Sequence, residues 1–265
     1  MINILYLGDI MADAGKQVVA DLLPDLRKEL GADIVVAQAE NVTDGRGMSV
    51  ADMDMLVGAG VDFFSGGNWS GYLDELHPRL EDPDSPVIGP TNFEGCPGPG
   101  YKYLDTEKGK VLFVTLMGQV VGKPLPTTHN PLHAIDDILE AEGQKVTPAA
   151  IVVNFHGDFS SEKRIIGYYL DGRASMVVGD HWHVPTADAM VLPKGTAHIT
   201  DVGMCGSIHS SLGVSLESVL PRWKDNKQTR NIQDSNKPWQ LNAVLVEVGP
   251  DSLALSAEQV QRIVK

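Results

Sequence analysis

Ile2-Asn3-Ile4-Leu5-Tyr6-Leu7-Gly8-Asp9 is a short, mostly apolar run that stops on a glycine and an acid. The same grammar returns in Ile34-Val35-Val36-Ala37-Gln38-Ala39-Glu40-Asn41 and in Val61-Asp62-Phe63-Phe64-Ser65-Gly66-Gly67-Asn68. Between these runs the apolar spacing changes. Val18, Val19, Leu22, Leu23, Leu26 and Leu30 recur at helical intervals within Gly15–Leu30, where Pro24 predicts a kink, and Ser49–Ala59 reads as a second helix. Strands Ile2–Leu7, Ile34–Ala37 and Val61–Phe64 alternating with helices predict an α/β fold with parallel pairing and both sheet faces covered.

Outward from this core, residues 82–100 are rich in proline and glycine and read as loop. Tyr101–Leu104 and Lys110–Leu116 resemble a hairpin. A helix at Pro131–Ala141, a strand at Ala150–Phe155, a helix at Ser161–Tyr169 and a strand at Ser175–Val178 follow. Leu241–Val248 and Leu253–Leu255 suggest a closing hairpin about Gly249-Pro250, Val260–Val264 being a weaker strand candidate. The polar residues 222–238 read as an exposed loop, and His77, before Pro78, as a helix end. With no repeat or linker, residues 1–265 are read as one domain.

The chain of 265 residues carries 21 Lys+Arg against 35 Asp+Glu, a formal charge of −14, which disfavours bulk nucleic acid as a partner. A small phosphate ester remains compatible, because a bound metal reverses the local sign. No apolar run approaches the ~20 residues of a membrane span. The first residues lack the basic start of a signal peptide, and Cys96 and Cys205 form no disulfide framework, so a cytoplasmic protein without membrane attachment is expected.

Metal-binding side chains follow five of the strands: Asp9, Glu40 with Asn41, Asn68, His156, and His181 with His183. Strand C-terminal ends of a parallel sheet share one rim, where ligands bind, so these positions are expected to converge. If His181-Trp182-His183 is extended, both imidazoles face one side. Each residue alone has an ordinary structural role, such as a helix cap or a turn. Together, three imidazoles, two carboxylates and two amide oxygens suit a pair of Mn, Fe or Zn ions better than Mg or Ca. Two metals about 3.5–4 Å apart can share a carboxylate, for which Glu40 is the candidate, deprotonate a bridging water and hold a phosphoryl group in line.

Gly8-Asp9, Glu40-Asn41, Gly67-Asn68, Phe155-His156, the stretch Asp171–Asp188 around Gly179-Asp180-His181-Trp182-His183, and Leu192–Met204 resemble the YmdB-like metallophosphoesterases, a branch of the calcineurin-like superfamily. The resemblance spans nearly the whole chain and weakens after about residue 215. It implies a four-layer α/β/β/α sandwich with a dinuclear centre that hydrolyses phosphodiesters, cyclic nucleotides among them. By position, Asp9, Glu40, Asn41 and His183 would hold one metal, and Glu40, Asn68, His156 and His181 the other. A small phosphodiester or nucleotide substrate and a homo-oligomer are expected on the same ground.

The chain departs from the family pattern where Gly-Asn continues into the usual catalytic histidine: the residue here is Trp69. An indole has no titratable proton near neutral pH and cannot serve as general acid, a role contributing typically ~10²–10⁴-fold. Lys16 stands where the first motif ends in arginine, and Trp182 where a smaller residue is usual. Trp69 and Trp182 can offer an aromatic face to a nucleobase, or Trp182 can pack in the core. His209 is a candidate substitute acid, Arg173 and Lys194 are candidate phosphate contacts, and His198 reads as structural. Two functions are therefore carried forward: a phosphodiesterase with reduced or altered catalysis, and a catalytically degenerate regulatory protein that binds metal and nucleotide.

Overall fold

The computed structural model describes residues 1–122 and 127–265. The opening run forms β1 (Ile2–Leu7) and, after Gly8, the two-residue β2 (Asp9–Ile10). Helix α1 (Ala12–Leu30) continues through Pro24 rather than ending there. Burial of Val18, Val19, Leu23 and Leu26 against the sheet offsets the lost backbone bond, and Gly31 closes the helix in the left-handed region. β3 (Ile34–Gln38), α2 (Val50–Ala59, capped by the Ser49 side chain) and β4 (Phe63–Ser65) complete the expected alternation. β1, β3 and β4 pair in parallel.

Near the C-terminus of the chain, β12 (Trp239–Val248) runs antiparallel to β1, with Ile2 opposite Val248 and Leu7 opposite Ala243. Farther along, β12 pairs with β11 (Met204–Ser207), which in turn lies parallel to β2. β13 (Ala254–Val264) pairs with the whole of β12, giving a seven-stranded mixed sheet.

The second sheet has six strands in the order β5-β6-β7-β8-β10-β9. β5 (Tyr101–Thr106) and β6 (Gly109–Met117) form the expected hairpin. β7 (Ala150–His156), β8 (Met176–Asp180) and β10 (Ala197–Ile199) extend it in parallel, and β9 (Met190–Val191) closes the edge. The sheets stack face to face over a core that includes Ile4, Tyr6, Val36, Val152 and Val178, where Phe63 and Phe113 stack at 4.0 Å. α1 and α2 cover one outer face, and α4 (Pro131–Gly143) and α5 (Ser160–Tyr169) the other. This is the expected α/β/β/α sandwich.

Three local expectations need correction. Residues 222–238 are not all loop: α6 (Leu216–Asp225) covers the first of them, its helical period masked because Leu216, Leu220 and Trp223 face solvent instead of a core. His77 begins a short helix, α3 (His77–Glu81), and its Nε2 lies 2.9 Å from the Gly71 carbonyl oxygen. The terminal strand is far longer than Leu253–Leu255. As a partly exposed strand paired only through β12, β13 tolerates polar residues that thin the apolar alternation.

Candidate metal centre

The strand ends do converge. Asp9 follows β1 across Gly8, where any side chain would strike the Gly203 carbonyl (2.0 Å from an ideal Cβ). Gly67 leaves similar room: a Cβ there would lie 2.4 Å from Glu40 Oε2 and 2.6 Å from the His156 ring. The first sheet thus brings Asp9, Glu40, Asn41 and Asn68 to the rim, while β7 and β8 of the second bring His156, His181 and His183.

The seven side chains fall into two groups. His183 Nε2 lies 3.2 Å from Asn41 Oδ1 and 3.7 Å from Asp9 Oδ1. His156 Nε2 lies 2.9 Å from Asn68 Oδ1 and 3.3 Å from Glu40 Oε1, with the His181 ring edge-on to His156 at 4.5 Å. Glu40, His156 and His181 offer ligand atoms within 4.8 Å of one another.

His181-Trp182-His183 is not extended, contrary to the reading from period two. His181 (φ 95°) and His183 (φ 62°) both occupy the left-handed region that non-glycine residues avoid. The imidazoles reach the rim because the chain turns, and backbone strain at such a place is common in functional sites. Trp182 consequently sits half-buried and outside the apolar core. Its Nε1 donates to the Asp158 carbonyl at 3.0 Å, and Lys163 Nζ lies 4.1 Å from its ring centroid.

Burial sets the protonation. It holds His181 down at about 4, helped by the neighbouring His156, and it lowers His183. Neutral imidazoles are the form that coordinates metal. For His156 burial opposes the charged form, but Glu40 and Asp180 outweigh it and raise its pKa well above the usual value. Burial would raise Glu40, yet the charges of His156 and His181 and the Trp69 N–H (3.0 Å) bring it below the ordinary range. Asp9 is raised well above normal by burial and by the charges of Asp180 and Asp201. Its Oδ1 is buried without a hydrogen-bond partner, an arrangement that costs free energy unless a cation completes it. The donor set, nitrogen and oxygen with one orphaned carboxylate oxygen, therefore fits divalent metal ions.

Reading the sequence for strand-end ligands misses Asp180. This fully buried acid accepts from His156 Nδ1 (2.6 Å), Gln38 Nε2 (3.0 Å), Tyr6 Oη (3.3 Å) and Asn154 Nδ2. It lies opposite His156 in the parallel register of β7 and β8, a relation visible only once the strand neighbours are known. The candidate phosphate contacts lie elsewhere. Arg173 precedes β8, at the opposite end of the sheet, where it pairs with Asp136 at 2.6 Å, and Lys194 precedes β10 at that same end. His209 is exposed in the loop after β11. That loop reaches the rim through the Leu212 carbonyl, 3.1 Å from His183 Nδ1, but His209 itself makes no hydrogen bond or ion pair with the described residues. Trp69 is half-buried beside Tyr72, with Arg46 over its ring.

The sandwich with its rim of acids, amides and imidazoles defines a hydrolase of the phosphoesterase class on the calcineurin-like fold. The fold is shared with a 5'-nucleotidase precursor from Thermus thermophilus at a TM-score of 0.54 and 11% identity, covering 99% of this chain and 54% of that one. More narrowly, the chain belongs to the YmdB-like protein family, whose model matches residues 5–263. It is 34% identical to a 2',3'-cyclic-nucleotide 2'-phosphodiesterase of Bacillus subtilis (strain 168) over 98% of this chain and 96% of that protein. A crystal structure of a novel phosphatase from Mycoplasma pneumoniae superimposes with a TM-score of 0.90 at 28% identity, covering 99% of this chain and 93% of the other.

Proposed function

We propose that this hydrolase cleaves small phosphodiesters, with 2',3'-cyclic nucleotides as its leading substrate class, using two transition metals (Mn, Fe or Zn) at the strand-end rim. The observation that carries the reading is the division of the seven side chains into two groups, one of which holds Asp9 Oδ1 buried without a hydrogen-bond partner. The relative named as a 2',3'-cyclic-nucleotide phosphodiesterase supports the substrate class.

Asp9, Asn41 and His183 would hold one ion and Asn68, His156 and His181 the other, with the Glu40 carboxylate between them. Bound ions supply Lewis acidity toward phosphoryl oxygens and make water a competent nucleophile at neutral pH. The protein's part is orientation. By accepting from His156 Nδ1, Asp180 fixes the tautomer that presents Nε2 to the rim, and the Leu212 carbonyl does the same for His183. The Trp69 backbone N–H holds Glu40 Oε2, but its indole offers no transferable proton. Protonation of the leaving oxygen then falls to solvent, so good leaving groups are cleaved preferentially.

Metal content and aryl-diester hydrolysis measured on one purified sample, with and without added Mn, test this. Two metals per chain with turnover lost in Asn68→Ala support it. Two metals without turnover in the intact protein would replace the enzyme by the metal- and nucleotide-binding regulatory protein, and no metal after reconstitution would refute the centre.

A further inference from the structure

Beside the rim lies a cavity of about 460 Å³, walled by residues 43–46, 72, 73, 230, 231 and 233 with Met11. Two of its walls lead directly back to the metal centre. The loop after Glu40 carries Arg46, and Asn41 Nδ2 braces it by donating to the Gly45 carbonyl at 3.0 Å. The turn after Asn68 carries Trp69 and Tyr72, whose rings meet edge to face at 5.4 Å. The third wall carries Arg230 and is pinned across the opening by Gln233 Nε2, which donates to the Asp44 carbonyl at 2.8 Å.

The arginines of the chain differ in their partners. Arg27, Arg164, Arg173 and Arg262 each pair with a carboxylate, and Arg222 is bonded to Thr229 and Asn231. Arg46 and Arg230, like the exposed Arg79, have no ion pair or side-chain hydrogen bond among the described residues, although the chain carries a net charge of −14. Both face one cavity, where Asp44 is the single acid in the lining. The guanidinium of Arg46 is 4.7 Å from the Trp69 ring centroid and 6.0 Å from that of Tyr72. Resting on aromatic faces steadies a guanidinium while leaving its N–H groups free for a planar or tetrahedral oxyanion.

We propose that this cavity is a subsite for a second phosphate of the substrate, gripped by Arg46 and Arg230, so that the preferred substrate is a phosphodiester bearing a terminal phosphate. The proposal rests on the phosphodiesterase reading above. It also gives Trp69 a role: a side chain that cannot donate a proton instead seats the arginine that selects the substrate.

The test compares adenosine 2',3'-cyclic phosphate with the same compound phosphorylated at its 5'-hydroxyl. Wild type should favour the second by about tenfold or more in kcat/KM, the scale of a charge-assisted contact. Arg46→Ala and Arg230→Ala should each shrink that ratio, the double variant should bring it near one, Arg46→Lys should retain part of it, and Arg79→Ala, outside the cavity, should leave both rates unchanged. Calorimetry supplies a readout without turnover: adenosine 3',5'-bisphosphate should bind about tenfold more tightly than adenosine 3'-monophosphate, and the difference should shrink with salt. Equal cleavage of both cyclic esters would overturn the subsite and leave the phosphodiesterase intact. If neither ester nor an aryl diester is cleaved, the parent reading fails, and equal binding of the two adenosine phosphates then overturns the subsite as well.

Discussion

Lys163 offers the sharpest test of how the rim is supported. It lies on α5 with its side chain wholly buried, and its Nζ donates to Asp201 Oδ2 at 2.6 Å and to the Asp180 carbonyl at 2.5 Å. Asp201 Oδ2 also accepts from the Trp182 N–H at 3.0 Å, so one ion pair anchors the turn that presents His181 and His183. Burial raises the Asp201 pKa despite the opposing charge of Lys163, so this carboxylate depends on its partner. Lys163→Met keeps the length and removes the charge. Breaking one side of a buried pair costs about 3–5 kcal/mol. At roughly 2–4 °C per kcal/mol for a chain of this size, Tm should fall by about 6–20 °C. Melts should be run on metal-stripped protein, because bound metal would add its own stabilisation. Adding Asp201→Asn, which removes the stranded charge, should recover at least half of the loss. A single variant melting within about 2 °C of wild type, or a double variant no better than the single, would refute the reasoning.

Three further outcomes are expected. Asp180→Asn should weaken metal retention and lower turnover by about 10–100-fold, measured as metal per chain after dialysis and as kcat, because it frees the tautomer and tilt of His156. Trp69→His should raise hydrolysis of a diester with a poor leaving group at least about tenfold and an activated aryl diester less, and equal or lower rates on both would count against a missing general acid. Burial depresses the His198 pKa and leaves it neutral in the fold, with Nδ1 against the Val177 carbonyl. The unfolded chain therefore binds the extra proton as pH drops below about 6.5, so stability contributed by this site is present above that value and lost below it. His198→Gln should flatten the Tm profile just below about pH 6.5, and an unchanged slope would show that another group is responsible.

Much of this architecture can be read from residues alone. The runs ending at Asp9, Glu40 and Asn68 are apolar enough to mark central strands, and strands buried on both faces announce themselves without alternation. β2 and β9, two residues each, have too few positions to show any period. The convergence of these polar side chains at the rim is legible because they terminate strands. Asp180 is not, since it stands inside the same run as His181 and gains meaning only from its register with His156. Lys163 left a weaker trace, a lysine three residues before Ile166 on the buried face of α5, where a charge demands a partner that sequence cannot name. The bend at His181 and His183 was invisible because neither residue is a glycine, the usual marker of positive φ.

The pairing of β1 with β12 sets the order in which this enzyme comes into being. Ile2 is registered against Val248, so one edge of the strand that delivers Asp9 stays open until residues 239–248 have left the ribosome. Helix α1 and the β1–β3 pair can form early from local contacts, but at synthesis rates of about 5–20 residues per second their apolar edge waits for some ten to fifty seconds. The candidate metal centre, drawn from both sheets, is therefore a late event in biogenesis. A ribosome stalled before β12 would release a chain with an exposed sheet edge and no competent site, a natural client for chaperones and proteases.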